Sequence, residues 1–397
     1  MKFIVCLLCC VTLLSCQVKL PSQGNKSVVV FDDTQLYFDM QLKSAPQDGT
    51  IIRLDAGRVL LKKVRLPRYA IQPKVKVSMT LKSNGDPWDK SGSLFVIPKS
   101  KGANLLDFEQ GRFGLKSLNQ PYPAVKASAT AEFNYLPNVE LLRFMTPFGV
   151  GFFNQHERTQ DRKPPYIPAW KDEVSWTQDI SQLLPLLEDE VYIGVYIDTW
   201  DNKGYRLSVK LDFNESRYLQ QEKRTTKVLP LVNTVKYASD QRLFDGFAQG
   251  ELTANFELPQ GASNAILHYI TTGHGGHASG DEFTKKENII SLDSEVLKRF
   301  IPWRDDCASF RRFNPSSGTW KAKDVFPDSS SDERIASSDL SRSNWCPGSD
   351  VTPQIIELGN IGSGEHQLSI AIPQAQVAKD NEHNYWMVSA YLTYEIN

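Results

Sequence analysis

The stretch Lys74-Val75-Lys76-Val77-Ser78-Met79-Thr80-Leu81 decides the fold class. Every second side chain is apolar and those between are polar or charged. That is the pattern of a strand with one face buried and the other wet. The alternation returns at Leu207, Val209, Leu211 and Phe213, at Leu252, Ala254, Phe256 and Leu258, and at Leu368, Ile370 and Ile372. The final segment sets Trp386, Val388, Ala390, Leu392 and Tyr394 on one side. Helical periodicity is scarce, with Ile180 to Leu187 as one short candidate. Many short strands split by Gly, Pro, Asn and Asp predict an all-β chain built from antiparallel sandwiches or jelly rolls.

Outward from the strands, the chain divides. Residues 1–15 read as a lipoprotein signal segment: Lys2 supplies positive charge, and Phe3 to Leu14 is apolar apart from Thr12. This run is too short to span a bilayer as a mature helix. It stops at Leu13-Leu14-Ser15-Cys16, which is similar to the bacterial lipobox and predicts lipid on Cys16. An ordinary secretory signal is the plainer alternative. The expected location is therefore outside the cytoplasm, anchored through Cys16 to a bacterial membrane, the outer one by preference. Residues 16–45 form a tether leading into a first domain spanning 28–213. A polar linker covers 214–226, and a second domain covers 227–397. Chains of this length exceed one ordinary core. Three long loops are expected at Lys99 to Asn134, Gln155 to Lys171 and Pro315 to Asn344.

Six cysteines are present. Cys6, Cys9 and Cys10 leave with the signal and Cys16 takes the lipid, which leaves Cys307 and Cys346. In an oxidising compartment one disulfide is the economical inference. The net charge of −1 and scattered Lys and Arg argue against nucleic acid as a partner. No metal and no cofactor is expected. His274-Gly275-Gly276-His277 lacks a third ligand at fixed spacing, and a loop allowing close backbone or substrate approach is the better reading.

Three acids stand in suggestive surroundings. Asp89 follows Trp88 and precedes Lys90 in a turn between strands. Asp198 ends an alternating strand beside Trp200. Glu282 follows the glycine-rich segment. Loops at strand ends are where a sandwich displays a site. A carboxylate beside a tryptophan suits sugar, since the ring covers the apolar sugar face while the acid takes hydroxyls. A surface turn is the plainer reading of each alone.

Together the segments resemble the bacterial peptide:N-glycosidase F family. Arg342-Ser343-Asn344-Trp345-Cys346-Pro347-Gly348 is similar to the family's Arg-x-x-Trp-Cys-Pro-Gly. Trp88-Asp89, Arg143-Phe144-Met145-Thr146-Pro147, Asp198-Thr199-Trp200 and Gly280-Asp281-Glu282-Phe283 also resemble family segments, in the family's order. The resemblance implies two adjacent antiparallel eight-stranded jelly rolls with the site at their interface. It implies hydrolysis of the amide joining asparagine to the first N-acetylglucosamine of an N-linked glycan, on glycosylated peptides or proteins. Aspartate and a glycosylamine would result. Asp89 would be the principal catalytic residue, with Glu282 and Asp198 supporting it. Trp88, Lys90, Trp200, Arg342, Trp345 and His274 would contact substrate, and Cys307 would pair with Cys346.

The sequence also departs from the family. Lys90 replaces an arginine and so loses a fork-shaped donor. Asp198 replaces a glutamate, Phe148-Gly149 replaces an aromatic pair, and His274 replaces a tryptophan. The cysteines flanking the family's glutamate are absent around Glu282. These changes leave open a surface lipoprotein that binds glycans or glycopeptides without cutting them. A copper- or zinc-dependent oxidoreductase on a similar fold is a further alternative, resting on His274 and His277.

Overall fold

A computed structural model describes residues 24–42, 46–47, 51–69, 72–99, 105–106, 136–215, 225–235, 237, 246–275, 280–325, 328–377 and 383–396. The signal segment, Cys16, His277 and most of the predicted loop from Lys99 to Asn134 lie outside them.

The quoted stretch lies in strand Lys74–Ser83. Val75, Val77, Met79 and Leu81 are buried on one face, as alternation requires. This strand pairs on one side with Tyr205–Asn214, in register from Lys74 opposite Asn214 to Ser83 opposite Tyr205, and on the other with Val174–Asp179. Lys26–Leu36 completes a four-stranded sheet. A seven-stranded sheet carries, in order, Asp350–Val351, Val139–Met145, Ser91–Ile97, Glu190–Ile197, Val59–Arg65, Ile51–Leu54 and Pro46–Gln47. Side chains of the two sheets meet in one core that includes Leu81, Val96, Leu142, Val195 and Phe213.

Two more four-stranded sheets form the second sandwich. One holds Thr225–Asn233, Tyr385–Ile396, Ala262–His274 and Gln354–Gly359; the other holds Leu252–Leu258, Gly364–Ala371, Asn288–Leu292 and Glu295–Phe300. Phe256, Leu267, Ile290, Leu368 and Trp386 fill the space between them. Among the described residues the strand count is thus four plus seven and four plus four. The surplus over eight in the first sandwich includes two-residue pieces, one of them Asp350–Val351 from the second half of the chain.

Ser91–Ile97 and Val139–Met145 are buried at every position. Simple alternation does not describe them because both faces are covered, one by their own core and one by the neighbouring sandwich. A third apolar cluster, with Leu61, Phe95 and Tyr196 against Val235, Tyr237 and Met387, forms that contact. A buried ion pair lies within it. Arg143 donates from Nε and Nη2 to Glu140, and from Nη1 to Thr272 Oγ1 at 2.9 Å and the Met387 carbonyl at 3.1 Å. Ser389 Oγ donates to Glu140 Oε1 at 2.6 Å. An unpaired charge here would cost several kcal/mol, of order 3–5. The network therefore favours one relative placement of the two sandwiches.

The helical expectation at Ile180 to Leu187 becomes the 3₁₀ turn Ser181–Leu186, which contains Pro185. Proline donates no backbone hydrogen bond, which suits a short turn. The loop from Gln155 to Lys171 contains one short helix, Glu157–Asp161. The loop from Pro315 to Asn344 contains a small hairpin, Thr319–Lys321 with Arg334–Ala336. Among the described residues, no helix is long and apolar enough to cross a membrane.

Candidate active site

The site gathers around Arg342. This side chain is only 1% exposed, yet its guanidinium meets two carboxylates: Glu282 Oε1 at 2.9 Å from Nε, and Asp89 Oδ2 at 3.7 Å from Nη2. Nη1 donates to the Leu340 carbonyl at 2.9 Å. The planar group lies between the rings of Phe283 and Trp345, at 5.0 and 4.9 Å from their centroids. Two acids, a carbonyl and two π faces offset the loss of water around the cation. The main chain of Arg342 exchanges hydrogen bonds with Arg304, and the Cys307–Cys346 disulfide closes the same region.

Asp89 comes from the first sandwich, on the turn before Ser91–Ile97. Glu282 comes from the second, after Ala262–His274. Their side chains are 17% and 18% exposed, so both are mostly withdrawn from solvent while keeping an opening to it. Burial raises Asp89's carboxyl, against the pull of Arg342 and Lys90. Burial pushes Glu282 up to about 7, with Arg342 opposing and the Asp89 charge adding to it. Two acids sharing one cation in a dry place do not both ionise freely.

Glycine places the Glu282 backbone. Gly275 has φ +81°, and a Cβ there would come 1.4 Å from the His383 carbonyl oxygen. Only glycine permits that approach. The Gly275 carbonyl accepts the Glu282 N–H at 3.2 Å, and the Glu282 carbonyl accepts the Ser343 N–H at 2.9 Å.

Asp198 lies beside the Asp89 turn, its N–H donating to the Ser91 carbonyl at 3.0 Å. Its carboxylate faces Arg58, Oδ1 lying 3.4 Å from Nη1. Arg58 also lies over Trp200 at 4.5 Å and Phe38 at 5.1 Å from the ring centroids. Trp200 is 53% exposed and Trp88 60%, so both keep much of their surface open to solvent beside the acids in the chain. Large exposed rings of this kind suit stacking on sugar. Lys90 is half-buried and pairs through its main chain with Thr146, N–H to Oγ1 at 2.8 Å.

Two residues expected to contact substrate lie below the surface. Trp345 and His274 are buried. The Trp345 indole donates to the Gly273 carbonyl at 2.8 Å, and the His274 ring stacks between Trp345 and Tyr385. They form the floor beneath Arg342 because flat rings pack well behind a planar guanidinium. His274 Nε2 bonds Thr272 Oγ1 at 2.8 Å, and burial lowers the ring to about 3, so it is neutral. Among the described residues no group of three His, Cys, Asp or Glu side chains is placed to hold a metal ion.

The sequence reading gave no part to Arg58 or Asp86, and named Phe283 only as a member of the Gly280-Asp281-Glu282-Phe283 segment. Nothing local marks Arg58. Asp86 is flagged by the Asp-Pro pair that opens the turn. It is fully buried, and its carboxylate accepts the Trp88 N–H at 2.9 Å.

A pair of packed β-sandwiches with carboxylates from both halves meeting on one arginine defines a class of two-domain β protein with an acid-lined cleft. The sequence profiles described as "Peptide-N-glycosidase F, N terminal" and "Peptide-N-glycosidase F, C terminal" match residues 27–213 and 244–393. The chain belongs to the peptide-N-glycosidase F family. It is 34% identical to PNGF-II in two crystal forms, with TM-scores of 0.79 and 0.77. Each alignment covers 94% of this chain, but 66% and 65% of PNGF-II. The chain thus spans about two thirds of PNGF-II. PNGase F from Flavobacterium meningosepticum, described as a glycosylasparaginase, shares the fold at TM-score 0.59 and 16% identity, covering 94% of this chain and 96% of that one. No curated protein matches the chain.

Proposed function

We propose that this protein is an amidohydrolase that cleaves the bond between an asparagine side chain and the first N-acetylglucosamine of N-linked glycans, on glycopeptides or glycoproteins. The observation that carries the reading is the meeting of Asp89 and Glu282 on the buried Arg342. An amide carbon is a poor electrophile. Water must lose a proton as it attacks, and the departing nitrogen must gain one. Asp89 is the base that takes the proton from water and passes it to the departing nitrogen. Glu282, pushed up to about 7, holds a proton below that pH and supplies hydrogen bonding to the linkage. Arg342 sets the angle between the two carboxyls. Asp198, Trp200 and Trp88 hold the sugar. Aspartate remains on the peptide, and the released glycosylamine loses ammonia in water.

The reading treats residues 28–213 and 227–397 as two jelly-roll domains joined by 214–226, supported by their separate cores. It treats the protein as exported and held at the membrane surface by lipid on Cys16, supported by the apolar run that ends at Leu14-Ser15-Cys16.

Mass spectrometry of a denatured glycopeptide incubated with the signal-less protein tests the activity. The expected result is loss of the whole glycan and conversion of asparagine to aspartate, about one mass unit heavier, absent with Asp89→Asn. A glycopeptide that co-elutes with the wild type but stays intact would instead support a glycan-binding protein.

A further inference from the structure

Asp86 is a fully buried acid to which the proposed reaction gives no part. Its Oδ1 accepts the Trp88 N–H at 2.9 Å, and its Oδ2 accepts the Thr199 hydroxyl at 2.7 Å. Thr199 stands between Asp198 and Trp200. We propose that Asp86 is a positioning residue: its carboxylate ties the turn carrying Asp89 to the loop carrying Asp198 and Trp200. The proposal rests on the amidohydrolase reading.

The rest of the turn is held with equal care. The Asp86 carbonyl accepts the Ser83 hydroxyl at 2.7 Å, and the Trp88 carbonyl accepts the Tyr205 hydroxyl at 2.7 Å. The Pro87 carbonyl accepts the Ser316 hydroxyl, also at 2.7 Å, from the second half of the chain. On the other side, the Thr199 hydroxyl oxygen accepts the Asp201 N–H at 3.1 Å. The Asp86 carboxylate therefore adds a side-chain tie between two loops that the main chain also links, through the Asp198 N–H to the Ser91 carbonyl at 3.0 Å and the Asp86 N–H to the Gly204 carbonyl at 3.4 Å.

Geometry alone does not call for an acid. An asparagine offers an acceptor to the Trp88 N–H and a donor to the Thr199 oxygen, without the cost of burying a charge, several kcal/mol in order of magnitude. The charged groups facing Asp86 are Lys90, Asp89 and Asp201, with the Tyr205 hydroxyl beside them. Burial raises Asp86's own carboxyl, while its bonds from Thr199 and Trp88 and the Lys90 charge favour the ionised form. An anion at Asp86 opposes ionisation of Asp89 and so increases its affinity for the proton it must accept.

Three variants separate fastening from charge. Asp86→Asn keeps both hydrogen-bond positions and loses the charge. It should keep KM within about threefold and move the acid limb of kcat/KM to lower pH by about half a unit. Asp86→Ala loses both bonds and should lower kcat about a hundredfold at nearly constant KM. Thr199→Val leaves the acid at Asp86 in place while removing the tie between loops and the acceptor for the Asp201 N–H, and should raise KM several-fold with the acid limb unmoved. Thermal unfolding of each accompanies the kinetics, and the Asn and Val variants carry the test if the Ala variant does not fold. An active wild type whose Asp86→Asn and Thr199→Val variants share its kcat, KM and pH profile overturns the positioning role alone. A wild type that releases no glycan overturns the activity, and this inference with it.

Discussion

Asp89 and Glu282 reach the same arginine from opposite halves of the chain, and they are held by different means. Asp89 sits in a short turn between two long strands of one sandwich, and Asp86, Ser83 and Tyr205 from that sandwich pin the turn. Glu282 sits on a glycine-preceded connection. Its main chain leans on Gly275 and Ser343, and the carboxylate of the buried Asp281 before it accepts the Gln376 N–H at 3.2 Å. The first acid is thus fixed mainly by its own domain. The second depends on segments 60 and more residues away, including the stretch closed by the Cys307–Cys346 disulfide. One acid is rigid by local design, and the other by long-range closure, so the two sides should fail differently.

The largest break in the comparison is expected at Asp89. Asp89→Asn removes the proposed base and should lower kcat about a thousandfold, read by glycan release, with the unfolding midpoint nearly unchanged. Glu282→Gln should cost less, about ten- to a hundredfold at pH 6. Its pH dependence is the sharper readout. Glu282 holds its proton below about 7 and loses it as pH rises, so wild-type activity should fall through pH 7 on the alkaline side. In Glu282→Gln that limb should flatten, because the amide does not titrate. An alkaline limb unchanged in the variant would remove Glu282 from proton handling.

The disulfide tests the long-range side. It joins cysteines 39 residues apart, and removing it through Cys307→Ser with Cys346→Ser should destabilise the fold by about 2–4 kcal/mol, seen in denaturant unfolding. At temperatures where the variant stays folded, kcat should fall a few-fold, since Arg342 and the Glu282 loop lose their clamp while the Asp89 turn keeps its own. The smallest effect is expected at the rim. Trp200→Ala should raise KM three- to tenfold, about 1 kcal/mol of lost stacking, with kcat held. A fall in kcat with KM unchanged would place Trp200 in the chemistry instead.

Legibility along the chain follows burial geometry. Lys74–Ser83 and Leu252–Leu258 were readable because one face of each is buried and one is wet, so hydrophobicity repeats every two residues. Ser91–Ile97 is less readable by period because both of its faces are covered. Asp89, Asp198, Glu282 and Arg342 were readable through motifs that keep their order. Trp345 and His274 are buried, a feature no motif carries, since a motif records which residues recur, not whether a ring faces solvent or stands behind an arginine. Arg58 was invisible: it lies 140 residues before its partner Asp198, in the turn just ahead of the strand Val59–Arg65, with no unusual local pattern.

By itself, the sequence determined the strand periods, the two unpaired cysteines left for one bond, and the acids and rings available for chemistry. Those follow from local rules, since a side chain's alternation and chemical type do not depend on what lies across the molecule. Only the tertiary structure decided which acids share a cation, which tryptophans meet solvent, and which buried aspartate braces the turn. These outcomes depend on contacts between residues far apart in the chain, such as Glu282 with Arg342, 60 positions away, and Asp89 with Arg342, which lies on the other half of the chain. Their energies arise from desolvation, a property of the packed cleft that no single segment carries.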